Sequence, residues 1–88
     1  MKRAKIDIIH DMLKAAIDKG GRLLPTHLLY KSTLSHQRMK FYLEELTQRK
    51  LITTVQHKDK MHYEITDAGR KFVMDFAKVK EFTNAFGL

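Results

Sequence analysis

Residues 35–40 read Ser-His-Gln-Arg-Met-Lys, and Phe41 follows. A serine in front of an apolar-periodic run suits a helix N-cap, because its hydroxyl accepts an otherwise unpaired backbone N–H. His36, Gln37, Arg38 and Lys40 then crowd the first turns of that helix with polar and basic groups. Such groups are what a helix needs in order to enter a groove of DNA. Covalent chemistry is not expected. There is no cysteine nucleophile, no glycine-rich phosphate loop, and no motif that sets a base beside a hydroxyl. The five histidines are scattered, at 10, 27, 36, 57 and 62. His57 and His62 are placed to face each other across a turn, but no cysteine or carboxylate completes a ligand set. The expectation is a non-enzyme with no metal and no cofactor.

The charge supports a polyanionic partner. Seventeen Lys and Arg against ten Asp and Glu leave +7. Residues 1–25 and 26–51 each contribute +3, residues 52–66 are neutral, and 67–88 contribute +1. The positive field therefore sits on the first half of the chain, and nucleic acid is the natural partner. A clean basic/apolar division suited to a membrane surface is not evident. No run is apolar enough for a membrane span, and the basic N-terminus lacks the apolar core and cleavage site of a signal peptide. A soluble, cytoplasmic protein is expected. No small-molecule pocket is legible. The 88 residues read as one domain, 1–88.

The elements that must position these groups follow from periodicity. Over 5–19, Ile6, Ile9, Met12, Leu13, Ala16 and Ile17 recur at helical spacing, with Ile8 nearby. Gly20-Gly21 stops this helix, and 23–25 form a short extended stretch. Pro25 and Thr26 begin a second helix, interrupted at Ser32-Thr33. The third helix runs from Ser35 to about residue 48, with Met39, Tyr42, Leu43 and Leu46 on its core face. On a wheel of about 100° per residue, Phe41 falls near 200° from Met39. Gln37, Lys40 and Glu44 flank it, and Arg38 lies to the side. Residues 51–56 are rich in β-branched types, 57–60 are a polar turn, and 61–65 alternate Met61, Tyr63 and Ile65, which together make a hairpin at about 52–65. Thr66 or Asp67 caps a last helix, about 67–86. The order is α-α-α-β-β-α, an α+β class that is mostly α.

That order is the winged helix-turn-helix plan. The strings YKSTLSHQRMKFYLEELTQRKLI and YEITDAGRKFV resemble a family of small archaeal winged-helix DNA-binding proteins and transcriptional regulators. The matching residues are Tyr30, Lys31, Leu34, Ser35, Tyr42, Leu43, Lys50, Leu51, Ile52, Tyr63, Ile65, Thr66 and Gly69. The likeness extends through the first helix and so covers nearly the whole chain. Family members often carry glycine where this chain has Lys50, so Lys50 must turn with some strain. Some relatives extend the last helix into a long coiled coil; ending at Leu88, this chain is expected to use at most a shorter helical interface.

The resemblance implies that the third helix is a recognition helix in the major groove of double-stranded DNA. Gln37 then suits an adenine edge, and Arg38 a guanine or a phosphate. Ser35, His36 and Lys40 serve the backbone, and Phe41 a thymine methyl. Lys31 and Thr33 are phosphate contacts near the turn between helices. Lys58 and Lys60 on the wing clamp the backbone or minor groove, and Lys2, Arg3 and Lys5 form a mobile basic arm. On the last helix, Phe72, Phe76, Val79, Phe82 and Phe86 are more apolar surface than a small core needs, which marks a homodimer interface. A dimeric transcriptional regulator is the reading. An architectural nucleoid protein and a winged-helix module that binds protein are the alternatives.

Overall fold

A computed structural model describes residues 4–24 and 35–88. Its elements are α1 (Lys5–Asp18), β1 (Arg22–Leu23), α2 (His36–Gln48), β2 (Ile52–His57), β3 (Lys60–Ile65) and α3 (Asp67–Ala85). The expected second helix, together with Lys31, Thr33, Lys2 and Arg3, falls outside the described residues. The rest follows the winged-helix order, with two adjustments to the sheet. The sheet has three antiparallel strands in the order β1-β3-β2, not two. Arg22 and Leu23 pair with Glu64 and Tyr63, and the Gly21 carbonyl accepts the Ile65 N–H at 2.9 Å. A two-residue strand is too short to carry an alternating pattern, so periodicity could not reveal it. β2 also runs on to His57, which pairs with Lys60. The turn proper is only Lys58 and Asp59.

The core gathers one face of each helix onto the inner end of the hairpin. Leu13, Met39 and Leu46 are fully buried, joined by Ile8, Ile9, Met12, Ala16, Tyr42, Leu43, Ile52 and Ile65. All four residues expected on the core face of α2 are inside. α1 departs from expectation: Ile6 is 50% exposed, whereas Ile8 and Ala15 are buried. α1 packs against both α3 and the sheet, so its buried arc is wider than one stripe and turned away from Ile6. Along β3 the alternation fades outward. Ile65 is buried and Tyr63 partly so, but Met61 is exposed. The hairpin tip extends beyond the core.

All three described helices end in the same way. After α1, the Gly21 N–H reaches the Ala16 carbonyl and the Gly20 N–H reaches Ile17; after α3, Leu88 reaches Thr83 and Gly87 reaches Asn84. After α2, the Leu51 N–H reaches the Leu46 carbonyl at 3.0 Å, and the Lys50 N–H reaches Thr47 at 3.1 Å. This is the Schellman pattern, which places one residue in the left-handed region. Gly20 and Gly87 occupy that position in α1 and α3, but in α2 it is Lys50, at φ 60°. The turn is therefore the ordinary one, made by a residue whose Cβ opposes it.

The chain is then pinned where α3 begins. The Thr66 N–H donates to the Leu51 carbonyl. The Thr66 hydroxyl donates to the Lys50 carbonyl at 2.7 Å and accepts the Gly69 N–H at 3.1 Å. A Cβ at Gly69 would collide with the Leu51 carbonyl and come within 2.7 Å of the Ile65 side chain. Two substitutions test this joint in one denaturant titration. Lys50→Gly should raise stability by about 1 kcal/mol, the penalty of a left-handed non-glycine residue. Gly69→Ala should lower it by roughly 1–3 kcal/mol, as overpacking against backbone does.

Candidate nucleic-acid interface

α2 presents its first turns to solvent. Ser35 is extended (φ −66°, ψ 160°), and its side chain accepts the Arg38 N–H at 3.3 Å. The cap expected from sequence is formed. No acidic residue occupies the first turn, so the partial positive charge of the helix N-terminus is not offset there. Ser35, His36, Gln37, Arg38, Lys40 and Phe41 are all exposed, while Met39 between them is buried and anchors the turn. Neither Arg38 nor Lys40 forms an ion pair among the described residues. Phe41 is 60% exposed; its ring meets the edge of Tyr42 at 5.6 Å and is otherwise presented outward, as the wheel requires.

The far half of α2 is tied to α1. Lys5 Nζ lies 2.5 Å from Glu45 Oε1, and Arg49 Nε lies 3.4 Å from the same oxygen. The Lys5 hydrogen bond, seconded by the two positive charges and the Arg49 bond, holds the Glu45 carboxyl below its ordinary range. Lys5 is thus not part of a mobile basic arm, as its place in the sequence suggests. It opens α1 and is engaged with a carboxylate 40 residues away. That separation hides the contact from the sequence; only the Glu45–Arg49 step, one helical turn, is legible there.

The hairpin tip carries Lys58 at φ 49° and Asp59 at φ 64°. Two successive left-handed residues between paired strands make the turn that matches strand twist, although glycine and asparagine are the usual occupants. Lys58 and Lys60 are exposed, with Asp59 between them. The His57 and His62 rings meet edge-on at 5.7 Å. They share one face of the hairpin, diagonally offset, since His62 pairs with Val55. Among the described residues no group of three or more His, Asp or Glu could hold a metal ion.

The apolar row on α3 divides in two. Phe72 and Val73 pack on the core. Phe76 stacks on His10 of α1 at 4.4 Å, with Lys80 Nζ 5.5 Å from its centroid. Lys80 also reaches Asp7 at 3.6 Å. Val79, Phe82 and Phe86 are 60%, 63% and 68% exposed, and the Phe82 and Phe86 rings lie against each other at 4.9 Å. Ile6, Phe72, Phe76 and Val79 line an open groove of about 410 Å³ between α1 and α3.

Residues 2–84 match the winged helix-turn-helix family. The chain belongs to that family. Solved winged-helix structures share its fold at low sequence identity. Sso10a-2, a DNA-binding protein from Sulfolobus solfataricus, superposes with a TM-score of 0.77 at 20% identity, over 97% of this chain and 90% of its own. F93 from STIV, a winged-helix DNA-binding protein, gives 0.72 at 17%, over 91% and 92%. TubR from Bacillus thuringiensis serovar israelensis pBtoxis, solved bound to 24 bp of tubC, gives 0.70 at 18%, over 89% and 98%. No curated protein sequence matches the chain.

In winged-helix terms, the structure brings Ser35, His36, Gln37, Arg38, Lys40 and Phe41 onto one helix end. It sets Lys58 and Lys60 on the wing tip. No described helix is long and apolar enough to cross a membrane. The Lys5–Glu45–Arg49 cluster is the element that residue types alone did not disclose, and it makes the seating of α2 pH-dependent. The folded-state pKa of Glu45 lies below its ordinary value of 4.5. Its stabilising effect is therefore full above that value and is lost as pH falls through the lower folded value. Melting temperature measured against pH should fall less steeply across that acidic window in Glu45→Gln than in the parent.

Proposed function

We propose that this winged-helix protein binds double-stranded DNA through α2 as a homodimeric transcriptional regulator working in the cytoplasm. The observation that carries the reading is the exposed N-terminal end of α2. It combines Gln37, Arg38 and Lys40 with a Ser35 cap, an acid-free first turn and no intramolecular ion pair at either cation among the described residues. A helix-turn-helix uses those positions on base edges and phosphates. The net charge of +7 supplies the long-range attraction. Lys58 and Lys60 add wing contacts to the backbone, and Lys31 and Thr33 belong to the same contact set. That Sso10a-2 and F93 are DNA-binding proteins, and that TubR is seen on its DNA, supports the same use of the fold here. Regulation then works by occupancy: a dimer seated on a promoter excludes polymerase.

Dimerisation is supported by Val79, Phe82 and Phe86, whose exposed apolar surface continues the row begun by Phe72 and Phe76. An exposed row of this kind marks an interface. A two-fold axis there would present two α2 helices to DNA about 34 Å apart, one helical turn.

Two experiments test this reading. In duplex-binding titrations at several salt concentrations, Arg38→Ala with Lys40→Ala should weaken affinity by at least about tenfold. The pair should also flatten the salt slope by roughly one unit per lost phosphate contact. Unchanged affinity would remove α2 from the interface, and absence of any salt-dependent binding by the parent would favour a protein-binding module. In sedimentation, Phe82→Glu with Phe86→Glu should convert dimers to folded monomers, since both rings lie outside the core. Persistent dimers would place the interface elsewhere.

A further inference from the structure

The outer face of α2 has a charge layout that net charge conceals. With the centre of Met39, Tyr42, Leu43 and Leu46 as the inward direction and about 100° per residue, Gln37, Phe41, Glu44 and Gln48 fall within about 30° of straight outward. Arg38 and Lys40 lie about 90° and 70° off that line, on opposite sides. The outermost stripe therefore holds two amides, an aromatic ring and a carboxylate, but no cation. The cations flank it, where the two phosphate backbones border a groove. Amide, ring and carboxylate are groups that meet base edges.

Glu44 is the group in this stripe that needs explaining. α2 has two acidic residues, Glu44 and Glu45. Glu45 is folded inward and offset by Lys5 and Arg49. Glu44 is exposed, forms no ion pair with Lys40 one turn earlier or with any other described residue, and shares a shallow depression with Phe41 and Gln48, at whose far side Lys5 and Arg49 are engaged by Glu45. A carboxylate facing a duplex is repelled by phosphates at every sequence. That repulsion is offset only where a base presents a donor. Cytosine presents its N4 amine alone on the major-groove edge, whereas adenine sets the N7 acceptor beside its amine, and guanine and thymine present acceptors.

We propose that Glu44 is a specificity-determining residue of this interface, accepting a hydrogen bond from a cytosine N4 amine and rejecting the other bases by repulsion. This rests on the DNA-binding reading above. Gln37 and Glu44 are seven residues apart, about 10 Å along the helix, so the cytosine lies about three base pairs from the pair that Gln37 meets. Glu44 thus does two things at once: it strengthens one sequence and weakens all others, which is how a difference in affinity is made large.

The test compares the full-length parent with Glu44→Ala, and with Glu81→Ala as a control that removes the same charge from an exposed site on α3. Alanine at an exposed helical position favours the helix, so both variants fold. Each protein is put through selection from a random duplex pool, and affinities are then measured on the parent's selected site and on the unselected pool. The parent should select a C·G pair at the predicted offset. Glu44→Ala should lose that preference, on the order of tenfold, and should bind the unselected pool more tightly than Glu81→Ala does. A Glu44→Ala protein with the parent's base preference, or one matched by Glu81→Ala on the pool, would overturn the assignment while leaving the DNA-binding reading intact. A parent without salt-dependent duplex binding would overturn that reading, and this assignment with it.

Discussion

The structure depends on the joint between the end of α2 and the start of α3. The carbonyls of Lys50 and Leu51 lie just past the end of α2, in the turn that leads into β2. Both are taken by Thr66, one by its backbone N–H and one by its hydroxyl. The same hydroxyl caps α3 through Gly69. One threonine therefore closes one helix-to-strand turn and opens the next helix. It does so only because position 69 has no Cβ to hold the backbones apart. The hairpin leaves and returns through this joint, so the directions of α2, the wing and α3 are set together.

Around that joint the charges are divided by role. Glu45 engages both Lys5 and Arg49, and its bond to Lys5 fastens α2 to α1. Lys80 is held by Asp7 and the Phe76 face. Arg38, Lys40, Lys58 and Lys60 are left at the surface, away from the ion pairs that bind the helices. A net charge of +7 thus overstates how many cations hold the fold and understates how directed the rest are. Backbone strain is distributed in a related way. The three non-glycine residues with positive φ are Lys50, Lys58 and Asp59 among those described, and two of them carry positive charge to turns where glycine would be more comfortable.

Much of the geometry of α2 is legible in the sequence. The Ser35 cap follows from its hydroxyl, and the inward quartet from Met39 to Leu46 and the outward Phe41 from a 3.6-residue period, which a local pattern carries in full. The turn at 57–60 was legible as a turn, but its two left-handed residues were not, because neither is the glycine that would announce them. Ile6 was placed inside by its spacing and lies outside, because a stripe says which residues share a face, not how wide an arc the neighbours will cover. The row on α3 was likewise read as one surface. Packing against α1 takes Phe72 and Phe76 into the monomer and leaves Val79, Phe82 and Phe86 outside it.

The sequence by itself determined the three described helices, the hairpin that follows the second of them, and which groups stand at the exposed end of α2. These follow from interactions within a few residues: capping, periodicity and turn chemistry. The tertiary structure alone decided that Lys5 holds Glu45, that Arg22 and Leu23 add a third strand, that Thr66 bridges two elements, and that of two neighbouring glutamates one is paired and one is presented. Each of these joins groups distant along the chain, and their meeting depends on how the elements pack in space, which no local pattern records.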